Sequence, residues 1–467
     1  MTTSSFDLIV VGAGPAGLAA AGSAAAVGLK TLLLDEQVTP GGQIYRGLAD
    51  ADKTRLDVLG ADYAAGRHLL SAVHEPTLSY RPGATVWEVS ASREVFYSID
   101  GRAHRAGAAQ VVIATGALER PMPMPGWTLP GVMTAGAAQI ALKANLVPDV
   151  EVILAGSGPL LYLLATQLER AGTHVSALVD TTPADNWWRA APHLLSSLAA
   201  PEYLWKGRGL YRDLASTNIP HFRRAENLAV IAHNGRAAGL QFTVDGRLRE
   251  IPAGLVLVHQ GVVPNVQLTR SLRLQHDWDA RARAWLPAIS SAGVSATPGI
   301  SVAGDGAAIN GAVAAAFHGE LVGLNAARAV GIQVAPAKLA DAAAAYRRHC
   351  KPRALIDLLY QPASAYTSPA DDVIVCRCEE VTAGALREYV RLGCPGPNQA
   401  KAFGRCGMGP CQGRYCGLTV SEVMAEARGV SPAEVGYYRL RAPVKPVTVG
   451  ELASLDEQEV KPSSRVV

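Results

Sequence analysis

The chain has 467 residues, of which 43 are Lys or Arg and 40 are Asp or Glu, for a net charge of +3. That length is too great for a single hydrophobic core and implies roughly two to four domains. The near balance of charge leaves no broad basic field for nucleic acid, and the 49% hydrophobic and 18% charged residues are ordinary for a globular protein.

Two stretches, Leu8–Leu29 and Val152–Leu168, are long and apolar. Each reads as a buried parallel strand, a glycine turn and a helix, and not as a membrane span. The first lacks the basic start and cleavage site of a signal peptide. The thiols are therefore expected to stay reduced in the cytoplasm, with at most peripheral contact at the inner face of the membrane.

The opening segment FDLIVVGAGPAGLAAAGSAAAVGLKTLLLDE predicts strand, turn, helix, strand. Val10 and Val11 end the first strand. Gly12, Gly14 and Gly17, with Pro15 and Ala16 between them, form the turn and open the helix. Gly12 permits a tight turn, Gly14 lets a pyrophosphate approach the backbone, and Gly17 lets helix and strand pack closely. The helix N-terminus favours the negative charge. Asp35, with Glu36 beside it, ends the second strand 18 residues after Gly17. That is the distance expected of an acid that binds a ribose, so the unit predicts an adenine dinucleotide. A looser stretch from Pro40 to Gly101 includes a helix near Leu56–Ala72 and a hairpin, and Ala109–Ala117 returns to the first sheet.

Val150 starts a second strand–turn–helix, with Gly156 and Gly158 but Leu161 in place of a third glycine. Asp180 ends its second strand, where an acid favours a 2′-hydroxyl. The site reads either as a functional nucleotide site or as a retained fold with an empty crevice. Pro183–Phe222 breaks the alternation with helical stretches carrying Trp187, Trp188 and Trp205, which read as a docking surface or as the core of an insert. Ile251–Asn265 reads as a strand returning to the first domain. Thr297–Ala327 closes that domain with a strand, an aspartate and a helix. His259 and His318 flank these segments and read as packing or hydrogen-bonding residues. Glu119 and Arg120 read equally as a surface pair.

All seven cysteines lie at or after Cys350, and six fall between Cys376 and Cys416. Gln361–Asp372 reads as a linker, Val373–Val430 as a cysteine module, and the rest as an extended tail lying along a surface or partly disordered. Cys376 and Cys378 share one turn. Cys406, Cys411 and Cys416 follow among glycines that let the chain wrap closely around a cluster. A [2Fe–2S] cluster needs four thiolates. Spacing alone leaves the second pair open, because Cys406–Cys411 and Cys411–Cys416 are equally separated. Structural zinc is the other reading. Cys350 and Cys394 read as non-ligands.

VVGAGPAGLAAA, PGGQI, VVIATGA, GSGP, PGISVAGD and GAVAAAFHG occur in the order seen in two-dinucleotide-binding-domain flavoproteins. Over about Ser5–Val330 the chain resembles the thioredoxin reductase-like group. The resemblance implies an α/β fold of two Rossmann-like domains binding FAD. It implies that Gly41, Gly42 and Gln43 lie near the isoalloxazine and that Ala114, Thr115 and Gly116 cross beside it. It also implies that Asp305, after Gly304, binds the ribitol, and that the helix opened by Gly311 and Ala312 points at the flavin pyrimidine. Where thioredoxin reductases carry a redox Cys-x-x-Cys, Pro130–Ile140 has no cysteine, which removes a dithiol relay.

The cysteine module resembles the small helical bacterioferritin-associated ferredoxin-like [2Fe–2S] domain. There the last ligand opens a helix like VSEVMAE. This register implies Cys376, Cys378, Cys411 and Cys416 as ligands, with Cys406 as the substitute.

Nearly the whole chain, including VCRCEEVTAG, GMGPCQGRYC and RAPVKPVTVGELA, resembles the large (α) subunit of heteromeric amino-acid dehydrogenases. That group includes the hydrogen cyanide synthase, opine oxidase and D-hydroxyproline or proline dehydrogenase complexes. The resemblance implies a D-amino-acid-oxidase-like β flavoprotein partner, a small additional subunit in some complexes, and electron transfer to a quinone or other acceptor. It further implies FMN at a subunit interface in related complexes, and NAD or ATP in a nucleotide site of some. It divides the chain into an FAD domain (1–120 and 251–350), a second nucleotide domain (121–250), a linker (361–372), the [2Fe–2S] domain (373–430) and the tail (431–467). A self-sufficient NAD(P)H-dependent reductase and a nucleotide-binding scaffold with structural zinc are the alternatives.

Overall fold

The computed structural model describes residues 6–459. Phe6–Val11 lies inside the first sheet, parallel to Thr31–Leu34 on one side and Arg102–Ile113 on the other. Leu78–Arg81 extends the sheet past Thr31–Leu34, and Ile300–Val302 joins Arg102–Ile113 in parallel. Leu8, Ile9 and Val10 are fully buried. A strand covered on both faces is a continuous apolar run for this reason, and each such side chain contributes roughly 1.5–3 kcal/mol on burial.

The helices Pro15–Ala26 and Ala312–Ala329 pack against each other over one face of this sheet. Their alanine and glycine content follows from how close they come. A Cβ on Gly319 would fall 2.0 Å from the carbonyl oxygen of Ala16.

The second sheet is parallel throughout, in the order His221–Arg223, Val175–Asp180, Val152–Ser157, Leu255–Gln260, Val132–Thr134. This corrects one expectation. Leu255–Gln260, inside the segment read as returning to the first domain, pairs with Val152–Ser157 instead. The chain leaves the second sheet only at Gly261, whose φ is +80°. Periodicity identifies a buried parallel strand but not the sheet that receives it.

The helical insert includes Asp185–Ala190 and Glu202–Ala215. Trp187, Trp188 and Trp205 are 47%, 76% and 70% exposed, so they do not fill a core within this chain.

The segment expected as a linker is docked. Asn186 donates to the carbonyl of Gln361, Gln361 donates to Ala280 and Arg281, and Tyr366 is buried in the second domain's core. The cysteine module has its own core, including Leu386, Val420, Val423, Met424 and Tyr438. The tail is not extended throughout. It contains a helix, Val449–Glu459, and the amide of Ala103 donates to the hydroxyl of Ser454 on that helix. Residues 460–467 of the tail lie outside the described residues. Among the described residues, no helix is long and apolar enough to cross a membrane.

Candidate cofactor sites

The first glycine turn is built by close approach. Gly12 has φ +104°, and a Cβ there would meet the Ala114 carbonyl oxygen at 2.5 Å. A Cβ on Gly17 would lie 1.7 Å from the Gly12 carbonyl oxygen. Pro15 opens the helix and Ala16 follows it, buried. The PGGQI loop folds over the turn, so a Cβ on Gly42 would come within 2.8 Å of Gly14 Cα.

The turn, Asp35, Glu36, Gly42, Gln43, Ala114 and Thr115 line one cavity of about 180 Å³. Asp35 Oδ2 accepts from the amide of Ala13 at 2.7 Å, and Oδ1 from that of Gln37 at 2.8 Å. Burial pushes its carboxyl up, and those two amides oppose the shift. Gly116, with φ +67°, continues the crossing strand beside Gly306.

Gly304 has φ +69°, and its Cα faces Ala16, where a Cβ would fall 2.4 Å from the alanine methyl. Asp305 Oδ1 accepts from Asn310 at 2.8 Å and Gly311 at 3.1 Å, which leaves its second oxygen for a ligand. Burial raises its carboxyl, against those same amides. Gly311 caps the helix that begins at Ala312. His318 is a structural acceptor: Nδ1 takes the amide of Gly304 at 3.1 Å, and the ring stacks on Tyr346 at 4.4 Å.

The second turn differs. A Cβ on Gly156 would fall 1.8 Å from the His259 carbonyl oxygen, and one on Gly158 would lie 3.1 Å from the His259 ring. Leu161 is buried in the second domain's core. Asp180 is already engaged, with Oδ2 accepting from the Tyr162 hydroxyl at 2.5 Å and Oδ1 from the Thr182 amide at 2.8 Å. Burial raises its carboxyl, but the bonds from His221, Thr182 and Tyr162 outweigh this and hold it below the usual range.

A larger cavity of about 930 Å³ runs beside Gly158, His259, Glu119 and Gly311. Gln43 lines both cavities. Glu119 and Arg120 are not a surface pair. Glu119 accepts from His259 Nδ1 at 2.6 Å and from the Gly136 amide at 2.9 Å. Arg120 is buried and donates to the carbonyls of Ala282 and Arg283. Lys143 was not legible in sequence, as a lone lysine in an ordinary helix. Its Nζ donates to the carbonyl of Gln43 at 2.9 Å, and burial, then Arg46, pushes it down to about 7.

Five thiols converge in the C-terminal module. Cys376, Cys406 and Cys416 are buried, with their sulfurs within 4.8 Å of one another. Cys378 and Cys411 form an outer pair with sulfurs 3.7 Å apart. Two thiolates on one tetrahedral metal with bonds of about 2.3 Å sit about 3.8 Å apart, so the outer pair has that spacing. Gly409 lets the chain close on Cys378, where a Cβ would fall 2.2 Å from the cysteine's own Cβ. Cys416 precedes the helix Gly417–Arg428, and its contacts with Cys376 and Cys406, together with burial, push its thiol well up. The thiols of Cys406 and Cys416 donate toward Cys376 and pull its pKa down. Tyr438 donates to Cys406 at 3.3 Å. Cys406, the substitute in the sequence reading, therefore stands among the buried sulfurs. Cys394 instead donates to the Gly396 carbonyl, and Cys350 lines the large cavity. The donor set, all sulfur and flanked by glycine, fits an iron–sulfur centre.

The pyridine nucleotide-disulphide oxidoreductase family model matches residues 6–319, and the sarcosine oxidase A3 domain model matches residues 373–455. An opine oxidase subunit from Rhizobium meliloti is 44% identical over 96% of this chain and 88% of its own length. Hydrogen cyanide synthase subunit HcnB from Pseudomonas protegens is 29% identical over 97% of this chain and 99% of its own. The crystal structure of L-proline dehydrogenase from P. horikoshii shares the fold, with a TM-score of 0.70 at 19% identity over 96% of this chain and 79% of that one. The fold, the first glycine turn and the near full-length similarity agree: the chain belongs to the pyridine nucleotide-disulphide oxidoreductase family and is an FAD oxidoreductase related to that opine oxidase subunit.

Proposed function

We propose that the chain is the electron-transfer subunit of a heteromeric flavin dehydrogenase acting on an amino acid, opine or hydroxyproline. A partner D-amino-acid-oxidase-like flavoprotein oxidises the amine, and this chain passes the electrons to a quinone or other acceptor. The relatives named as subunits of opine oxidase and hydrogen cyanide synthase support assembly into a hetero-oligomer. The observation that carries the reading is the gathering of five thiols in a module packed beside a dinucleotide cavity.

A bound flavin accepts electrons in pairs and releases them singly, while a [2Fe–2S] cluster carries one at a time. The residues of this chain hold and orient these groups. Gly12, whose amide donates to the Leu34 carbonyl, turns the chain so that the amides of Gly14 and Gly17 would face the pyrophosphate, while Asp35 orders the turn and would face the ribose. Asp305, which accepts the Asn310 and Gly311 amides just before the Ala312–Ala329 helix, would offer its second oxygen to the ribitol. Cys376 with Cys416, and Cys378 with Cys411, supply two thiolate pairs, one inner and one outer. Cys406 sits against the inner pair, held by Tyr438. The large cavity beside Gly158 is the place for a second nucleotide (NAD or ATP) or for FMN at a subunit interface. The engaged Asp180 weighs against NADH at that turn.

The test is reduction of the purified chain by its partner's amine-reduced flavoprotein, followed by paramagnetic resonance at low temperature. A reduced-cluster signal is expected with the partner present and not with NADH alone. A signal from NADH alone would instead establish a self-sufficient reductase.

A further inference from the structure

The loop that carries Cys411 and Cys416 also reaches the first nucleotide cavity. Arg414, between those two cysteines, lines the same cavity as Gly12 and Gly14. Its Nε is buried without a hydrogen-bond partner. Arg46, which follows the PGGQI loop, lines the cavity from another side, and its Nε is likewise buried without a partner. Arg46 lies near enough to Asp35 for its charge to lower that carboxyl's pKa, but among the described residues no carboxylate accepts from either Nε. Asp35 accepts two backbone amides, and Glu36 pairs with Lys445. A buried guanidinium donor without an acceptor is costly. Two of them beside a glycine turn with forward-facing amides make a site for a phosphate anion.

A second connection ties the thiol loop to the cavity. Gln412, next to Cys411, donates to the carbonyl of Pro443. Val444 then buries its side chain in the first domain's core and donates its amide to Trp87 at 2.9 Å. Lys445, one residue on, reaches Glu36. The cysteine loop and this short strap together cover one wall of the cavity.

We propose that Arg414 binds the pyrophosphate of an adenine dinucleotide in the first site, and that nucleotide and metal binding are coupled through it. The proposal rests on the reading of that site as the FAD site. A metal held by Cys411 and Cys416 fixes the loop between them and so preorganises the guanidinium. A nucleotide that engages Arg414 in turn holds the loop closed around the metal. Coupling of this kind is reciprocal: each ligand raises the affinity for the other by the same factor.

The experiment uses the full-length, metal-loaded protein. Affinities for FAD and for ADP are measured by calorimetry on the wild type, Arg414→Gln and Arg414→Lys. Metal release to a chelator is followed with and without ADP. Arg414→Gln is expected to weaken both ligands about tenfold or more, and Arg414→Lys to recover part of the loss. ADP is expected to slow metal release from the wild type and not from Arg414→Gln. Unchanged affinity in Arg414→Gln would overturn the assignment, as would a loss seen with FAD but not with ADP. If Arg414→Gln does not fold, the wild type alone decides: metal release indifferent to bound ADP refutes the coupling. A wild type that binds neither FAD nor ADP refutes the reading of the site itself and not the role of Arg414.

Discussion

Gly17 shows how a single position can decide a cofactor site. Its missing side chain is the space into which the Gly12 carbonyl fits, and a methyl there would overlap that oxygen at 1.7 Å. Gly17→Ala is expected to destabilise the first domain by about 2–4 kcal/mol and to yield protein without bound flavin, read from its visible absorbance. The thiols allow a sharper comparison. Cys411→Ser and Cys416→Ser are expected to lose most of the metal, while Cys406→Ser retains it, by elemental analysis of anaerobically purified protein. The opposite ranking would assign Cys406 to the ligand set.

His318 gives a pH-dependent prediction. Burial pushes its pKa down to about 4, from about 6.5 in the unfolded chain. Its neutral form is therefore the one the fold accepts. This contribution is full above pH about 6.5 and is lost as the pH falls toward 4, with a slope of about 1.4 kcal/mol per pH unit at most. His318→Gln should flatten the dependence of the unfolding temperature on pH across that window. An unchanged slope would show that His318 does not titrate there.

At the scale of elements, the two strand–turn–helix units were legible because everything that defines them is local. Apolar runs, glycine spacing and a terminal acid all lie within about 30 residues of one another. Their occupancy was not legible, because it depends on partners distant in sequence. Asp35 and Asp180 occupy equivalent positions, yet Asp180 is claimed by the hydroxyl of Tyr162. The segment 361–372 has a linker's composition, but Asn186 and Tyr366 dock it onto the second domain. In the same way Arg414 carried no signal among glycines and cysteines, since its significance lies in a cavity 400 residues away in the chain.

The helical insert gives this scale its prediction. Trp187 and Trp188 stand on Asp185–Ala190, largely exposed, and tryptophan is enriched at interface hot spots. The double change Trp187→Ala, Trp188→Ala is expected to leave the unfolding temperature within a few degrees of wild type. It is expected to reduce co-purification with the partner flavoprotein by about tenfold, a loss of roughly 1–2 kcal/mol. Co-purification at the wild-type level by a folded double variant would place the interface elsewhere.

For the molecule as a whole, the domains cannot be treated as separate modules. The tail returns from the cysteine module to the first sheet, where Val444 joins its core and the Val449–Glu459 helix packs beside Arg102–Ile113. Trp127, from the second domain, donates to the Ile374 carbonyl two residues before Cys376. The electron path proposed above would require this kind of fixed geometry between the thiols and the nucleotide site.

The central claim is that iron and sulfide, held by C-terminal thiols, share one chain with a bound flavin. Metal, acid-labile sulfide and extracted-flavin analysis of the anaerobically purified chain tests it most directly. The account predicts about two irons and two sulfides per chain together with FAD. Zinc without sulfide, in a colourless protein, would contradict it.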